Sequence, residues 1–295
     1  MINRSIAGLL MTISAALSGC VHHQPAPVAS GPTSFVVGNP YQSHGEWLYP
    51  RNFDNYDTTG LATVIGDDHP ALNTDGETYD PAALAAASPV LQLPAIVTVT
   101  NLVNGYAMDV RVDDRGPDNP GRILAVTPEV ARRLGFPSGG VVEVEVALKT
   151  QDTAAIDGAL GQGPKLSAAP VAGIQAQSLA APGSGQTNGT AQNLDPAADA
   201  DTSAAPAALS GRVTIYPPSP GPLYVQVPGF GRLRDAQKTM QEDLYGFPAH
   251  VIPIFGGDRT LYAVNAGPYH SIADADTALA QMLARGLTDP QIIVH

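Results

Sequence analysis

The sequence predicts two folded domains, the first mainly β and the second α+β, joined by a long linker. The stretch from Thr150 to Gly211 has no aromatic residue and consists mostly of Ala, Gly, Gln, Ser, Asp and Pro, without a periodic apolar face. The sequence before it alternates apolar and polar residues as strands do, and the sequence after it alternates strand and helix patterns. We therefore expect folded domains at 38–148 and 212–295, with a disordered linker at 149–211.

The composition restricts the classes of partner. The 295 residues carry a formal net charge of −12, and charged residues make up 14% of the chain. Binding to a nucleic-acid backbone requires clustered Lys and Arg that displace counterions, so nucleic acid is not expected as a partner. A glycan is compatible with this charge, because sugars are held by aromatic stacking and hydrogen bonds.

The N-terminus is predicted to be a signal peptide that spans residues 1–19. Arg4 precedes an apolar run from Ile6 to Leu17, which is short for a helix that spans a bilayer. The run ends in Leu-Ser-Gly followed by Cys20, which resembles the lipobox at which bacterial signal peptidase II cleaves. Cys20 is then expected to be the acylated N-terminus that anchors the mature protein in a membrane.

Residues 20–37 are expected to form a disordered tether, because they show no apolar periodicity. Val21, in place of an Asp after the Cys, indicates the outer membrane by the sorting rule of such lipoproteins. The neighbouring His22 and His23 lie in this tether without a third ligand, so no metal site is predicted.

The first domain is predicted to consist mainly of strands. Residues 96–100 and 108–112 alternate apolar and polar side chains on either side of Asn104-Gly105, a dipeptide that favours a two-residue hairpin turn. Further predicted elements are a strand at 141–148 and a helix at 128–134, with Thr127 as its N-cap and Gly135 beyond its end. The pattern predicts a small β-rich barrel.

The second domain is predicted to alternate strands and helices. A strand at 223–227 is followed by a helix at 233–245, a hairpin around Gly256-Gly257, another helix and a terminal strand. Ser271, with Asp274 three residues later, predicts the start of the second helix as a capping box does. This order predicts a β-α-β-β-α-β fold.

One carboxyl group of the first domain is a candidate acid. The two-residue period of Val110 and Val112 places Asp114 on the same face at the end of its strand. A carboxyl group that is partly desolvated there can have a raised pKa and deliver a proton near neutral pH. Glu77 is a second candidate, although two carboxylates are an ordinary finding in a β-rich domain, and a structural role for both stays open.

The motifs around these two residues resemble those of a known family. Residues 76–117, GETYDPAALAAASPVLQLPAIVTVTNLVNGYAMDVRVDDRGP, closely resemble the core of the rare lipoprotein A family, whose pattern combines GExYD, TNLxNG and NDRGP. GNPYQSHGEWLYP at 38–50 and GLATVIG at 60–66 resemble flanking segments of the same family. The resemblance implies that the first domain is a double-psi β-barrel.

The resemblance also implies an activity, that of an endolytic lytic transglycosylase, a lyase that cleaves peptidoglycan. Asp114 and Glu77 occupy the family's catalytic positions. In the implied mechanism, Asp114 protonates the glycosidic oxygen between MurNAc and GlcNAc, and the C6 hydroxyl attacks the anomeric carbon of the same sugar. Asp114 then accepts the hydroxyl proton, and Glu77 orients the substrate or stabilises charge. A 1,6-anhydroMurNAc end results, with no metal or organic cofactor expected.

The sequence departs from the family pattern at three places. The family carries a His eleven residues after the motif Glu, and Ser88, which cannot carry positive charge, stands there. Thr63-Val64-Ile65-Gly66 replaces Ser-Trp-Tyr-Gly, which removes two aromatic surfaces for stacking on sugar. Asp113 replaces the Asn of NDRGP and places a second carboxyl group beside Asp114. A barrel that binds glycan without cleaving it is therefore an alternative.

Substrate binding in the barrel is assigned to a small set of side chains. The candidates are Tyr79, Arg115, Trp47 and Ser88. As alternatives, Tyr79 and Trp47 pack the barrel and Arg115 pairs with a carboxylate.

The second domain resembles a SPOR domain. The resemblance rests on LYVQVPGF at 223–230 and on LYAVNAGPY at 261–269. It implies binding to glycan strands stripped of stem peptides, and hence enrichment at the division septum. The barrel would then act on a locally concentrated polymer.

The expected glycan contacts of the second domain lie on one face of its sheet. Period two places Gln226 opposite the core-facing Val225 and Val227, where its amide can reach sugar hydroxyls. The further binding candidates are Gly229, Ala263 and Asn265, although the family favours an Arg near the last two. The alternative is a solvated sheet face.

The sequence as a whole favours a lipid-anchored envelope protein, facing the periplasm from the outer membrane, that cleaves peptidoglycan at the septum. Two other classes stay open. One is a non-catalytic lipoprotein that binds peptidoglycan, and the other is an expansin-like protein that loosens the wall without breaking bonds.

Overall fold

The structure is a computed structural model that describes residues 32–137, 140–161, 209–255 and 260–295. The predicted signal peptide, Cys20, His22 and His23, most of the linker and the predicted turn at Gly256-Gly257 lie outside the described residues. Within the described ranges, no helix combines the length and the apolar character needed to cross a membrane.

The secondary structure follows the predicted order of a strand-rich first domain and an alternating second domain. The elements up to the linker are β1 (Tyr41–Ser43), β2 (Glu46–Leu48), β3 (Asp57–Val64), β4 (Ala85–Ala87), β5 (Ala95–Asn101), β6 (Tyr106–Asp114), β7 (Arg122–Val126), α1 (Pro128–Leu134), β8 (Val142–Leu148) and α2 (Thr150–Ala159). Those that follow it are β9 (Thr214–Ile215), β10 (Leu223–Phe230), α3 (Leu233–Glu242), β11 (Ala249–Phe255), β12 (Thr260–Tyr269), α4 (Ile272–Ala284) and β13 (Gln291–Val294).

The first domain is a closed barrel. Its strand order is β4-β7-β3-β8-β5-β6, and a further pairing of β4 with β6 closes the ring. The β3–β7 and β4–β6 pairs are parallel, whereas β3–β8, β5–β8 and β5–β6 are antiparallel. Alternate residues of the strands point inward, so that Val97, Val110 and Val144 are fully buried. The expected double-psi type of β-barrel is confirmed.

The hairpin between β5 and β6 has a longer turn than the two residues predicted. The turn spans Leu102 to Gly105. The side-chain amides of Asn101 and Asn104 each donate to the carbonyl oxygen of Leu134 at 2.9 Å. Leu134 is the last residue of α1, so these amides satisfy a carbonyl that the end of the helix leaves free. Asn104, which favoured a two-residue turn in the sequence, thus connects the hairpin to α1.

Helix α1 has the predicted bounds. It ends at Gly135, whose φ of 68° lies in the left-handed region that glycine adopts without strain. At its start the hydroxyl of Thr127 donates to the carbonyl oxygen of Ala83 at 2.7 Å. The side chain of the predicted N-cap therefore joins the helix to the segment before β4 and makes no capping hydrogen bond.

The second domain has the predicted β-α-β-β-α-β order. Its four-stranded antiparallel sheet has the strand order β11-β12-β10-β13. Apolar side chains of this sheet pack in one buried cluster with Ala236 of α3 and Met282 of α4. Ser271 caps α4, because its hydroxyl oxygen accepts the N–H of Asp274 at 3.1 Å. The α+β prediction for this domain is confirmed.

The structure differs from the predicted domain bounds on both sides of the linker. Helix α2 occupies residues 150–159, where the linker was expected to begin. Thr153 accepts the N–H of Ile96 at 2.9 Å, and Ile156 is buried three residues further on. These two residues give the segment one face that packs on β5, which composition alone does not reveal. Beyond the other end of the linker, β9, which was predicted to belong to the second domain, pairs with β6 of the barrel.

The two domains lie against each other, although the sequence suggested independent units. Leu61 of β3 belongs to the same buried apolar cluster as Leu279 and Ile292 of the second domain. The hydroxyl of Thr59 donates to the carbonyl oxygen of Val294 at 2.6 Å. Gly121 of the barrel lies so close to the second domain that a Cβ at this position would be 2.6 Å from a side-chain carbon of Leu279. An interface of this kind fixes the second domain relative to the barrel.

Candidate active site

Asp114 lies at the end of β6, where β6 runs beside β4. Its carbonyl oxygen accepts the N–H of Ser88 at 2.9 Å, which fixes the backbone at the strand end. A register shift in the β4–β6 ladder separates Ala86 from Ala87, so that Asp114 lies opposite Ala87. The Asp114 side chain is only 10% exposed. The strand thus delivers a largely buried carboxyl group to the barrel surface, as its period predicted.

The two carboxyl oxygens of Asp114 have different partners. Oδ1 accepts the N–H of Thr74 at 2.7 Å and its hydroxyl at 2.5 Å. Oδ2 lies 2.7 Å from Nε2 of His69. Because both donors of Thr74 converge on Oδ1, the remaining reactive oxygen is Oδ2, and it faces a side chain that can gain or lose a proton.

His69 is the functional candidate that the sequence analysis missed. It comes from the loop after β3, 45 residues before Asp114. Its Nδ1 lies 2.8 Å from the carbonyl oxygen of Pro70, and its ring lies on that of Tyr79 with centroids 4.3 Å apart. The His-Pro pair after a strand was the available signal, but spacing does not reveal a contact that loop folding creates.

Asp114 and His69 face a cavity of about 600 Å³, within the range of small-molecule sites. One wall is the segment Thr63-Val64-Ile65-Gly66, which replaces the aromatic segment of the family. The loop from Asp68 to Thr74 and the segment from Arg115 to Asn119 form other parts of the lining. The cavity is large enough for a sugar ring beside the carboxyl group.

Glu77 lies apart from this cavity. Its carboxylate accepts a hydrogen bond from Arg111 Nη2 at 2.8 Å and one from the hydroxyl of Thr33 at 2.5 Å. The same Arg111 nitrogen donates to the fully buried Asp75 at 3.1 Å. Glu77 and Arg111 line a second cavity, of about 570 Å³. The structure therefore does not bring the side chains of the two predicted catalytic carboxylates together.

Asp113 belongs with Glu77 and not with Asp114, because consecutive residues of a strand point to opposite faces. Burial raises the pKa of Asp113 to about 8, and the nearby carboxylate of Asp75 adds to the effect, whereas Arg111 opposes it. Asp113 is thus mostly uncharged at neutral pH, which limits the repulsion of Asp114 that its sequence position suggested.

Arg115 and Ser88 make backbone contacts near the site. The guanidinium of Arg115 donates to the carbonyl oxygens of Ser88, Leu91 and Val37, at 3.1 Å for the first and 2.6 Å for the last. Burial lowers the pKa of this guanidinium. Ser88 is fully buried and its hydroxyl oxygen accepts the N–H groups of Val90 and Leu91. Both side chains fix the loop after β4 beside Asp114.

The predicted aromatic contacts differ in position. Tyr79 is half-buried, and it packs against Ile65 and Ala87 below the Asp114 cavity. Trp47 is 37% exposed on the β1–β2 hairpin, with its ring 6.4 Å from that of Tyr49. The backbone N–H of Trp47 donates to the carbonyl oxygen of Thr288 in the second domain. Trp47 therefore lies at the boundary between the domains.

The predicted glycan face of the second domain centres on a pair of amides. The amide nitrogen of Gln226 donates to Oδ1 of Asn265 at 2.9 Å. Asn265 is fully buried, and its amide nitrogen has no hydrogen-bond partner among the described residues. Tyr224 lies two residues before Gln226 on the same face, and its ring centroid is 5.9 Å from that of His250 and 5.6 Å from that of His295. These rings add aromatic surface that the sequence analysis did not assign.

Two other residues predicted on this face have little polar surface to offer. Ala263 is fully buried. Gly229 is exposed, with a φ of 93°. Within the described ranges, no three His, Cys, Asp or Glu side chains are grouped so as to hold a metal ion.

The closed barrel with a buried carboxyl group at its cavity, followed by the four-stranded second domain, defines a protein of double-psi barrel and SPOR architecture. Comparison with protein families agrees: residues 58–146 match the family described as lytic transglycolase, and residues 219–293 match the SPOR domain. The chain belongs to the RlpA family.

Relatives with curated names extend the comparison to most of the chain. Endolytic peptidoglycan transglycosylase RlpA of Pseudomonas aeruginosa is 29% identical over 272 residues, which cover 88% of this chain and 77% of that protein. The protein of the same name from Yersinia pestis is 34% identical over 45% of this chain and 42% of its own length. That of Neisseria meningitidis is 37% identical over 36% of this chain and 45% of its own length.

Proposed function

We propose that the protein is an endolytic lytic transglycosylase that cleaves peptide-stripped peptidoglycan strands and leaves 1,6-anhydroMurNAc ends. The observation that carries this proposal is the position of Asp114, largely buried at a sugar-sized cavity, with Oδ1 held by Thr74 and Oδ2 on the reactive side. The family relatives named as peptidoglycan transglycosylases support the same class of reaction.

In this reaction Asp114 acts first as an acid and then as a base. Its Oδ2 gives a proton to the glycosidic oxygen, and the bond from that oxygen to the MurNAc anomeric carbon breaks. The C6 hydroxyl of the same MurNAc forms the new bond to that carbon and returns its proton to Oδ2. The hydrogen bonds from Thr74 to Oδ1 stabilise the carboxylate between the two steps. The proposed reaction consumes neither water nor a cofactor.

The other predicted site residues have supporting roles in this proposal. Glu77 stabilises the barrel from the opposite face of β6 through Arg111, and so fixes the strand that carries Asp114. Arg115 and Ser88 hold the loop after β4 beside the cavity. Tyr79 supports the ring of His69.

The second domain and the N-terminus supply the location. The SPOR domain binds peptide-free glycan through Gln226, whose amide is oriented by the buried Asn265, and this binding concentrates the enzyme at the division septum. Acylated Cys20 anchors it to the outer membrane on the periplasmic side. Peptidoglycan is then both substrate and binding partner, with nucleic acid absent from its partners because of the net charge of −12.

The proposal is tested by product analysis. The chain from residue 21 onward, which retains every described residue, is incubated with amidase-treated peptidoglycan, and new 1,6-anhydroMurNAc ends are quantified by mass spectrometry. We expect Asp114→Asn to lower the rate by about 10²-fold to 10⁴-fold, the usual contribution of an acid-base group. Asp57→Asn, an exposed Asp at the start of β3, serves as the matched control and keeps the wild-type rate.

Glu77→Gln distinguishes the two carboxylates. Because Glu77 lies outside the Asp114 cavity, we expect its rate to stay within about tenfold of wild type, as for outer supporting residues. A loss of rate as large as that in Asp114→Asn would show that Glu77 takes a direct part in the reaction. Wild-type protein that binds the glycan but forms no anhydro ends would instead identify a non-catalytic binding lipoprotein.

A further inference from the structure

The partner of His69 Nδ1 decides which protonation states are open to Nε2, the nitrogen that contacts Asp114. His69 Nδ1 lies 2.8 Å from the carbonyl oxygen of Pro70. A carbonyl oxygen only accepts hydrogen bonds, so Nδ1 carries a proton in this arrangement. Nε2, which faces Asp114 Oδ2 at 2.7 Å, is therefore the ring nitrogen that gains or loses a proton.

The other oxygen of Asp114 does not compete for this proton. Oδ1 already accepts two hydrogen bonds from Thr74, at 2.7 and 2.5 Å. A proton added to the carboxyl group then resides on Oδ2, between Nε2 and the cavity. The side chains of His69 and Asp114 are only 13% and 10% exposed, so bulk water has restricted access to both.

We propose that His69 is a positioning residue that shares one proton with Asp114, and that this shared proton is the one Asp114 delivers to the glycosidic oxygen. The inference rests on the proposed function and assigns the proton source of the same site. The pair has no net charge while it holds the proton, whether the proton lies on Nε2 or on Oδ2.

The proton balance of the reaction closes within this pair. When the glycosidic oxygen takes the proton from Oδ2, the electrons of the broken bond stay with that oxygen. His69 is then neutral, with its proton on Nδ1, and Asp114 is a carboxylate. The proton of the attacking C6 hydroxyl returns to the pair and restores the starting state.

A shared proton solves a problem that an isolated carboxyl group faces. A carboxylic acid alone is ionised at neutral pH, and hydrogen-bond donors favour the ionised form further. Imidazole takes up a proton near neutral pH, and two strongly interacting groups titrate as a pair. The contact of Nε2 with Oδ2 therefore places a second proton-carrying group directly beside the carboxyl group that acts on the sugar.

The surroundings leave the proton to this pair. Burial raises the pKa of Asp113 to about 8, so its charge is small at neutral pH. Arg115 directs its guanidinium at carbonyl oxygens. Among the other titratable groups nearby, Asp68 and Asp118 line the same cavity. The ring of Tyr79 contacts that of His69, and Asp67 and Asp80 lie near Tyr79.

The kinetic test compares His69→Gln with wild type across pH. Gln keeps a donor nitrogen near the position of Nε2 but cannot titrate, so a merely structural hydrogen bond survives the change. We expect the rate of anhydro-end formation at pH 7 to fall at least about tenfold, and the pH profile of the rate to differ from that of wild type. His270→Gln, at an exposed His of the second domain, keeps the wild-type profile. An unchanged rate and pH profile in His69→Gln would overturn the proposal.

A second measurement needs no substituted His and no catalysis. Long-range ¹H–¹⁵N NMR of wild-type protein reports which nitrogen of His69 carries the proton. We expect Nδ1 to be protonated throughout, and the ¹⁵N resonance of Nε2 to move when Asp114→Asn removes the partner. An Nε2–H tautomer with unprotonated Nδ1, or an Nε2 resonance that does not respond to Asp114→Asn, contradicts the shared proton. If wild type forms no anhydro ends, the proposed function fails while NMR still decides the pairing.

Discussion

Arg122 of the barrel holds Asp276 of helix α4 through two hydrogen bonds, Nη1 to Oδ1 at 2.7 Å and Nη2 to Oδ2 at 2.8 Å. The Arg122 side chain is 8% exposed and that of Asp276 is 38% exposed. A two-point contact of this kind fixes direction as well as distance, so it orients the second domain on the barrel. The same boundary includes Leu61 of the barrel and Leu279 of α4, which belong to one buried apolar cluster.

Removal of the Asp276 charge should loosen the domain interface. In Asp276→Ala the buried Arg122 loses its partner, so we expect a loss of about 1 to 3 kcal/mol in the free energy of unfolding and a larger radius of gyration. Small-angle scattering and denaturant unfolding measure the two effects. Asp235→Ala, at an exposed Asp of α3, is the control and should change neither. An unchanged radius of gyration in Asp276→Ala would mean that apolar contacts suffice.

Glu46 makes the same interface sensitive to pH. Burial raises the pKa of Glu46 to about 7, a hydrogen bond from the Gly121 N–H lowers it in part, and the carboxylate of Asp289 raises it further. A carboxyl group whose pKa is raised by folding favours the protonated folded form. Its contribution to stability is therefore present below its unfolded pKa of 4.5 and is lost as the pH rises to about 7.

Glu46→Gln should remove this pH dependence. We expect the variant to exceed wild type in free energy of unfolding by about 1 to 3 kcal/mol at pH 8, with little difference at pH 4. Thermal unfolding of both proteins at the two pH values measures the change. If the difference in free energy of unfolding between the two proteins were the same at pH 4 and at pH 8, we would conclude that Glu46 is charged and solvated in the folded protein.

Asp113, like Glu46, should destabilise the folded protein as the pH rises, and it should do so over a wider pH range. Its pKa is raised from 3.8 to about 8 by burial, so the unfolded chain releases its proton at a lower pH than the folded chain does. Stability falls as the pH rises from about 4 to about 8. We expect Asp113→Asn to gain about 2 to 4 kcal/mol at pH 8 and little at pH 4, measured by urea unfolding. A loss at pH 8 would show that Asp113 is ionised and needed by Arg111.

Gln226 should contribute to glycan binding. Its amide lies beside Asn265 and Tyr224 on the sheet face away from α3 and α4. We expect Gln226→Ala to weaken co-sedimentation with peptide-free glycan about tenfold, the effect of about one lost hydrogen bond. Gln241→Ala, on the exposed side of α3, leaves binding unchanged. Equal binding by both variants would place the glycan elsewhere on the domain.

The sequence identified Asp114 because a strand period is a local property. Val110, Val112 and Asp114 share a face whatever the strand packs against, and β6 ends at Asp114 as the period required. The period also carried the information that Asp113 points away, which the sequence analysis did not use. His69 could not be found in this way, because the contact joins two segments 45 residues apart through the path of a loop.

Glu77 and the linker illustrate what a motif leaves open. GExYD locates Glu77 in the chain, but the direction of its side chain depends on Arg111, which is 34 residues away. Helix α2 lies in a segment of linker composition, and it is stabilised because Ile156 is buried against the barrel. Both outcomes depend on a neighbour that is distant in sequence.

The sequence by itself determined the division into a β-barrel and an α+β domain, the position of Asp114, the Gly135 end of α1 and the Ser271 cap of α4, because these depend on periodicity and local backbone preferences. The tertiary structure alone decided the pairing of His69 with Asp114, the separation of Glu77 from that site and the contact of Arg122 with Asp276. These depend on which loops and surfaces meet, and that is decided by burial of apolar area summed over the whole chain, which no local pattern encodes.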